Sequence, residues 1–306
     1  MGLRIRTNIA SINAQRRLAI STDDLQSSSS KLASGERINR AADDAAGLAI
    51  SENLRASIRS LSQAKRNGND AISLVQTAEG GLSETTNMLI RLRELAIQAA
   101  SDTIGPSDRS NINQEFVKLK DEIDRIAAAT EFNGTRLLVG AVEVGEDMMK
   151  NANAFPYEIQ IGKDYYEGSD GLDKVAPVNI IRIDLQNLNA FTDGEGSLGI
   201  GRSEEGTNVS TKQGAQGSIS VLDSAMDKVS EYRSYLGALQ NRLGSAVTNL
   251  ATTVENVEAA RSRIRDTDYA AETAKMTQAN IMQQAGAAVL GQANMQPSIA
   301  LKLLQF

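Results

Sequence analysis

Cysteine, histidine and tryptophan are all missing from this chain of 306 residues, and aromatic residues make up only 4% of it. Without cysteine there are no disulfides and no thiol chemistry. Without histidine the chain lacks the usual general base and the commonest zinc ligand. Its serines, threonines and aspartates have no histidine with which to form a nucleophile. We therefore predict no catalytic, metal-binding or cofactor-binding residue, and a protein that is not an enzyme.

The charge balance is slightly acidic, with 32 lysines and arginines against 38 aspartates and glutamates and a formal net charge of -6 at pH 7. A nucleic-acid-binding protein needs a basic face, so we predict no nucleic-acid partner. The first residues, Met1-Gly-Leu-Arg-Ile-Arg, lack the continuous apolar run of a cleavable signal peptide. If the protein leaves its cell, the sequence predicts that it does so by another route.

The chain does contain a long heptad repeat in its C-terminal half. A branched aliphatic residue occupies every seventh position, as Leu222, Val229, Leu236, Leu243, Leu250, Val257 and Ile264. A period of seven keeps one seam of a helix facing a neighbouring helix along its whole length. The repeat therefore predicts a long helix that requires a partner.

A second seam with the same spacing begins at Leu54 and reaches Ala96, with a row of small residues beside it. A shorter helical pattern follows Gly105-Pro106-Ser107, where proline suits the first helical position and serine a cap. Because the partners lie on either side of the middle of the sequence, the chain must run out, turn and return. We predict a mainly α fold, an elongated antiparallel helical bundle or coiled coil built from the two terminal regions.

The middle of the chain changes character. Asn133-Gly134 is a turn signal, and apolar alternation over 155–161 and 178–185 predicts two short strands. We divide the chain into residues 1–44, 45–140, 141–215, 216–264 and 265–306, with small β-hairpins in the third region. A break at Ser34-Gly35 ends the first helix, and Asp43 and Asp44 suit a helix cap better than a metal site. Gly80-Gly81 predicts local weakening of the long helix.

The last region is unusual because residues 276–301 carry no charged side chain but many amides. A membrane span would not carry so many unpaired amides, so we predict no membrane insertion. On a helix, Ile281, Ala285, Ala288, Met295 and Ile299 fall on one side, and Asn280, Gln283, Gln284 and Asn294 fall on another. The amide face is either an ordinary solvated surface or the lining of a passage that must not hold charged molecules.

Several long motifs resemble those of bacterial flagellins. Residues 34–50 read SGERINRAADDAAGLAI, and similar matches occur at 92–98, 131–135, 260–276 and 283–294. They occur in the family's order and cover both terminal regions, about two thirds of the chain. Since the middle is too short for large outer domains, the chain resembles a compact flagellin. Arg265 departs from the family pattern, which usually has an acidic residue before Asp266, so the resemblance predicts a different local ion pair here.

The resemblance implies a structural subunit that polymerises into the flagellar filament for swimming. Residues 1–44 and 265–306 would form an inner coiled-coil domain, while 45–140 and 216–264 would form a core domain. Asn280, Gln283, Gln284 and Asn294 would face the export channel. The subunit would leave the cell unfolded through the flagellum's own secretion channel and fold on assembly into an extracellular filament.

Implied partners are other subunits in a homopolymer or mixed filament, the export apparatus, an export chaperone, and the cap and hook-junction proteins. Arg91, Leu95 and Glu115 match the surface that an innate immune receptor recognises in many flagellins and that also contributes lattice contacts. Two alternatives remain, a hook-filament junction protein and a soluble coiled-coil adaptor. A flagellin with a zinc protease is excluded, since its His-Glu-x-x-His helix needs histidine.

Overall fold

The computed structural model describes residues 7–139, 157–164, 179–186, 188, 198–201 and 206–303, with the backbone alone over 296–303. Its helices are α1 (Ile9–Ser34), α2 (Ala45–Ala100), α3 (Pro106–Ala129), α4 (Lys212–Arg265) and α5 (Tyr269–Leu303). The strands are β1 (Glu131–Phe132), β2 (Thr135–Arg136), β3 (Tyr157–Gln160) and β4 (Ile180–Ile183). The predicted mainly α fold with small hairpins is confirmed.

The chain divides into two compact units. The terminal unit contains residues 1–58 and 255–306, and the central unit contains residues 59–254. Both boundaries fall inside the long helices α2 and α4, whereas the sequence-based regions were divided near helix ends. Most of the predicted region 141–215, with the strand residues Phe155 and Val178, lies outside the described residues.

In the central unit α2 and α4 run antiparallel. Leu61 and Ala64 pack with Leu250 and Val254, whereas further along α2 Arg93 forms an ion pair with Asp223. The predicted ladder supplies the core, because its members from 222 to 250 are all buried. The predicted seam on α2 is buried as well, at every heptad position from Leu61 to Ala96. Val257 and Ile264, in the terminal unit, are only partly buried.

Two glycines of α2 allow close packing within the central unit. A Cβ on Gly68 would lie 2.7 Å from Val247 Cγ2, and one on Gly81 would lie 2.9 Å from Leu138 Cδ1. The helix continues without interruption through Gly80-Gly81. Gly81 lowers the intrinsic stability of the helix, but its missing side chain allows Leu138 to approach more closely than any larger residue would permit.

Helix α3 begins at Pro106, as predicted, because proline needs no amide partner in the first turn. The expected serine cap is wrong, since the N-cap is Gly105, with no side-chain cap, and Ser107 lies inside the helix. Phe116 and Ile123 are fully buried in the central core.

The two hairpins confirm the predicted turn and strands. Asn133 and Gly134 have φ of 50° and 77°, the left-handed values that a two-residue type I′ connection requires. Strand β3 pairs antiparallel with β4, with Tyr157 opposite Ile183. The Tyr232 hydroxyl donates to the Asp184 carbonyl at 3.1 Å and so attaches the end of β4 to α4. Burial raises the pKa of that phenol.

In the terminal unit α1 and α5 pair in antiparallel order. Helix α1 stops at Gly35, whose φ of 71° is the left-handed conformation common just after a helix. Asp44 Oδ1 accepts the Gly47 amide at 2.8 Å, which confirms the predicted cap of α2. In the part of the chain that the structure describes, no helix is long and apolar enough to cross a membrane.

Candidate assembly surfaces

The interface between α1 and α5 is built from small and polar side chains. On α1 the buried residues are Ser11, Ala14 and Ser28, and on α5 they include Glu272, Ala279 and Ala293. Heptad residues Leu18, Leu25 and Leu32 of α1 are only partly buried. Polar contacts therefore supply much of the interface.

Hydrogen bonds join the two helices at both ends and in the middle. The Ser11 hydroxyl donates to Asn294 Oδ1 at 2.7 Å, and Asn8 Nδ2 donates to the Ala293 carbonyl at 2.8 Å. Near the middle, Gln283 Nε2 donates to Thr22 Oγ1 at 3.3 Å. At the other end the Tyr269 hydroxyl donates to the carbonyl of Leu32 at 3.2 Å.

Large apolar side chains of both helices point to solvent instead. They are Ile9, Ile12 and Ile20 on α1, and Ile281, Met282, Val289 and Met295 on α5. Ile281 is 60% exposed and Met295 is 66% exposed, although the helical pattern grouped them on the apolar side. Ala285 and Ala288 are exposed as well, and the side chain of Ile299 lies outside the described residues. The subunit by itself leaves this face uncovered.

The structure separates the four predicted channel residues into two pairs. Gln283 and Asn294 bond to α1, as described above. Asn280 and Gln284 are exposed, and Gln284 Nε2 donates to Asn280 Oδ1 at 3.1 Å. Among the described residues, Asn280 and Gln284 therefore make no hydrogen bond to α1, whereas Gln283 and Asn294 do.

The connections between the helices meet at Arg265, which sequence analysis singled out without finding its partners. Its guanidinium is 13% exposed, donates from Nη1 to Glu52 Oε1 at 2.7 Å and places Nε 2.9 Å from Glu36 Oε1. The Nε–H is not aligned for a hydrogen bond, so the Glu36 contact is an ion pair. The close carboxylates of Glu36 and Glu52 raise the pKa of Arg265.

Backbone bonds reinforce this junction. The Arg37 amide donates to the Arg265 carbonyl at 2.7 Å, and the Thr267 amide donates to the Gly35 carbonyl at 3.0 Å. Asp268 then caps α5 by accepting the amides of Ala270 and Ala271. The ends of α1 and α4 are thus tied to each other before α5 begins.

A second feature that sequence analysis missed is the buried carboxylate of Glu272, which is 6% exposed. Burial alone would raise its pKa, but a hydrogen bond with Ser28 and the ammonium groups of Lys275 and Lys31 outweigh burial, so the pKa of Glu272 is lowered. Lys275 Nζ lies 3.2 Å from the carboxylate. The sequence signal that could have pointed to Glu272 is an acidic side chain on a helix rich in alanine.

The three predicted receptor residues come together, but in different environments. Arg91 Nη2 lies 2.8 Å from Glu115 Oε1, and both side chains are about half exposed. Leu95 is 2% exposed and belongs to the central core. Arg91 and Glu115 therefore present an accessible polar pair, whereas Leu95 supports the helix beneath them.

Helix α3 also buries a lysine. Lys120 Nζ donates to the Thr207 carbonyl at 2.9 Å and lies 5.9 Å from the centre of the Phe116 ring. Burial lowers the pKa of Lys120 to about 8, although Asp121 and Asp124 act in the opposite direction. Within the described residues, no group of three or more histidine, cysteine, aspartate or glutamate side chains could hold a metal ion.

Comparison with known proteins gives matches over most of the chain. Residues 5–143 match the bacterial flagellin N-terminal helical region, and residues 219–304 match the bacterial flagellin C-terminal helical region. A flagellin of Halalkalibacterium halodurans is 40% identical over 301 residues, which cover 98% of this chain and 99% of that protein. Polar flagellin C of Vibrio parahaemolyticus is 36% identical over 384 aligned positions that cover both chains completely. That alignment is longer than this chain, so the relative has residues without a counterpart here.

Among solved structures, one described as a flagellar hook-associated protein from Vibrio parahaemolyticus has a TM-score of 0.55. It covers 73% of this chain and 100% of that chain at 15% identity, which supports a shared fold and nothing more specific. The two family matches and the extended identity to flagellins are what decide the family. The chain belongs to the bacterial flagellins.

Proposed function

We propose that this flagellin is exported unfolded and completes its terminal helices only when neighbouring subunits cover them. The chain is a structural subunit that polymerises into the bacterial flagellar filament for swimming motility, and it is not an enzyme. The proposal concerns how the subunit reaches the filament and which surfaces it uses there. It places the working protein outside the cell.

The observation that carries the proposal is the exposed apolar face of α1 and α5. Side chains such as Ile12, Ile281 and Met295 face solvent in the single subunit, and burying each would remove substantial apolar surface from water. A helix pair with a small, polar interface of its own gains little stability without that burial. Neighbouring copies of the same chain are the partners best suited to cover it.

Limited proteolysis tests this proposal. Arg16, Arg17 and Lys31 in α1 and Lys275 in α5 are cleavage sites for trypsin. In monomers we expect rapid cleavage at these sites, and in filaments we expect at least a tenfold slower rate. The matched internal control is Arg93 of α2, which is paired with Asp223 in the central unit and should resist cleavage in both states. Equal rates at the terminal sites in monomers and filaments would reject folding on assembly.

In the filament we assign residues 1–44 and 265–306 to an inner coiled-coil domain and 45–140 with 216–264 to a core domain. Residues 141–215 would face outward. Asn280 and Gln284 are the stronger candidates for the channel surface, because Gln283 and Asn294 bond to α1 in the subunit. Neutral amides there would offer no strong ionic contact to chains in transit. The export apparatus, an export chaperone, and the cap and hook-junction proteins are the further partners that this route requires.

The proposed immune-receptor surface rests on Arg91 and Glu115, with Leu95 beneath them. Replacing both charged residues with alanine should reduce receptor signalling by monomers at least tenfold. The control is Arg125→Ala with Glu122→Ala, which removes another exposed pair, on α3, whose atoms are 2.6 Å apart. Unchanged signalling by the first variant would reject the transfer of this site. Leu95→Ala is unsuitable as the test, because it would also disturb the core.

A further inference from the structure

We propose that Met282 and Met295 are oxidation sites through which peroxide stops the free subunit from joining a filament. Both side chains belong to the uncovered apolar face of α5, and both are more than half exposed. The inference rests on the proposed function, in which neighbouring copies cover that face. It adds a chemical modification that decides whether the face can be covered.

The composition of the chain directs an oxidant to methionine. Cysteine and methionine are the side chains that peroxide oxidises most readily, and this chain has no cysteine. It also lacks histidine and tryptophan, which stronger oxidants attack. The eight methionines are therefore the main targets of a mild oxidant, and their exposure decides the order in which they react.

The described methionines differ clearly in exposure. Met88 and Met226 are partly buried and pack against the core of the central unit. Met276, near the start of α5, is also partly buried. Within the part of the chain that the structure describes, Met282 and Met295 are the only exposed methionines. Peroxide should thus reach the uncovered apolar face before it reaches the packed core.

The two exposed methionines lie at opposite edges of the uncovered face. At 3.6 residues per turn, Met295 and Met282 are about 140° apart around α5, with Ile281 and Val289 between them. Met282 also lines the groove between α1 and α5 together with the exposed Ile20. A neighbouring subunit that covers the full width of the face must therefore enclose both thioethers.

Oxidation would change the chemistry of this face by one oxygen atom at each sulfur. The thioether sulfur donates an electron pair to one oxygen of hydrogen peroxide, the O–O bond breaks, and the second oxygen leaves as water after proton transfer. Sulfur is oxidised by two electrons, and peroxide is reduced. The product is polar, whereas the thioether is a flexible apolar group. Isoleucine and valine beside it supply no side-chain donor, so burying the new oxygen is unfavourable.

Selective incorporation tests the proposal on the native chain. Full-length monomers are treated with hydrogen peroxide until Met282 is partly oxidised, the peroxide is removed, and seeds of native filament are added. Filaments are then separated from unincorporated monomers by sedimentation. Met282 and Met295 share the tryptic peptide 276–302, so fragment ions in tandem mass spectrometry assign the oxygen to one sulfur.

We expect both exposed methionines to be oxidised several times faster than Met88 and Met226. Their sulfoxides should be about tenfold rarer in the filaments than in the unincorporated monomers, because an unpaired buried polar group costs enough for that ratio. Sulfoxide at Met88 and Met226 should be distributed equally between the two fractions. Methionine sulfoxide reductases with a thiol reductant should restore incorporation of the excluded monomers.

A pair of double variants tests the same residues through growth rate. Met282→Leu with Met295→Leu keeps the apolar volume and removes both sulfur atoms. Whatever the growth rate of this variant from filament seeds, peroxide treatment should leave that rate unchanged. Met88→Leu with Met226→Leu is the matched control, because it makes the same exchange in the central unit. Growth of the control should remain sensitive to peroxide.

Two results would overturn the proposal. Equal levels of the Met282 and Met295 sulfoxides in filaments and monomers would show that the filament tolerates them. Loss of growth in the peroxide-treated Met282→Leu, Met295→Leu variant would place the damage elsewhere. If that variant does not grow at all, the distribution of sulfoxide in the native chain decides the question.

Failure of the proposed function gives a different result. In that case trypsin cleaves the terminal helices equally fast in monomers and filaments. If the trypsin sites are protected in filaments while the sulfoxides are distributed equally, folding on assembly stands and the oxidation proposal alone is wrong.

Discussion

The central and terminal units place opposite kinds of side chain between their helices. In the central unit leucines such as Leu89, Leu222 and Leu236 are fully buried. In the terminal unit Ser11, Ser28 and Glu272 are buried, while Ile281 and Met295 face solvent. The central unit can therefore gain its stability within one chain. The terminal unit has a small and polar interface of its own, and its large apolar side chains stay exposed in the subunit.

The most direct test of this difference between the two units is to remove one apolar side chain from each. Leu236→Ala should lower the free energy of unfolding by about 2–5 kcal/mol, because it leaves a cavity in a packed core. Ile281→Ala should change it by less than about 0.5 kcal/mol, since the side chain is exposed in the subunit. Urea unfolding of both monomeric variants, followed by far-ultraviolet circular dichroism, gives the comparison. Similar losses would show that the two units are stabilised alike.

A second test reverses the charge at the junction of the terminal unit. Arg265→Glu would place three carboxylates together in the space now shared by Arg265, Glu36 and Glu52. We expect trypsin to cleave α1 and α5 several times faster in this variant. Arg263→Glu is the matched control, because it makes the same charge change at an exposed position two residues before Arg265.

Rescue of the junction should follow from restoring opposite charges. Adding Glu52→Arg to Arg265→Glu again places one arginine beside two carboxylates, so the cleavage rate should return towards that of the native chain. Failure of this double variant to recover any protection would mean that Arg265 acts through packing, and that its charge is unimportant.

Alkaline pH should affect the central unit through Lys120. Its pKa of about 8 in the folded chain lies below the ordinary value of 10.5, so the unfolded chain binds more protons between these values. The free energy of unfolding should therefore increase with pH from 8 towards 10 through this group. Lys120→Met should lack this contribution. Parallel slopes for the native chain and Lys120→Met over that interval would contradict the burial effect.

Acidic pH should affect the terminal unit through Glu272. Because the folded-state pKa of this carboxylate lies below its ordinary value of 4.5, its contribution to stability is present above pH 4.5. It is lost as the pH falls through the folded-state pKa. We expect filaments to unfold at lower urea concentration as the pH falls below 4.5, as followed by far-ultraviolet circular dichroism. Glu272→Gln should show a weaker acid dependence, and an identical profile would exclude Glu272 as the source.

The smallest expected effect concerns the cap of α2. Asp44→Ala removes the acceptor for the Gly47 amide and should lower the free energy of unfolding by about 1 kcal/mol. Asp23→Ala, at an exposed position inside α1, serves as the control and should have little effect on unfolding. An Asp44→Ala variant as stable as the control would show that the cap contributes nothing measurable.

Much of the central unit could be predicted because its signals are local or strictly periodic. The ladder from Leu222 to Leu250 is buried as its spacing indicated, and Asn133-Gly134 makes the expected turn. Arg265 illustrates the opposite case. Its partner Glu52 is 213 residues away in the sequence, so no local pattern could pair them.

The side of α5 that packs against α1 shows a different limit of prediction from hydrophobic spacing. Hydrophobic spacing correctly grouped Ile281 with Met295, but spacing indicates which residues favour burial and does not identify what buries them. Within the subunit α1 takes the side that contains Gln283, Ala293 and Asn294. The apolar side is left exposed, so the amphipathic pattern could not identify the contact with α1.

The sequence by itself determined the long helices, the Asp44 cap, the Asn133-Gly134 turn, the buried ladder and the family, because heptad spacing and local backbone preferences act through neighbouring residues. Only the tertiary structure decided that Leu95 is buried beneath Arg91 and Glu115, that Arg265 joins Glu36 to Glu52, and that amides of α5 bond to α1. These contacts depend on which distant segments meet, and that follows from the sum of packing over the whole unit.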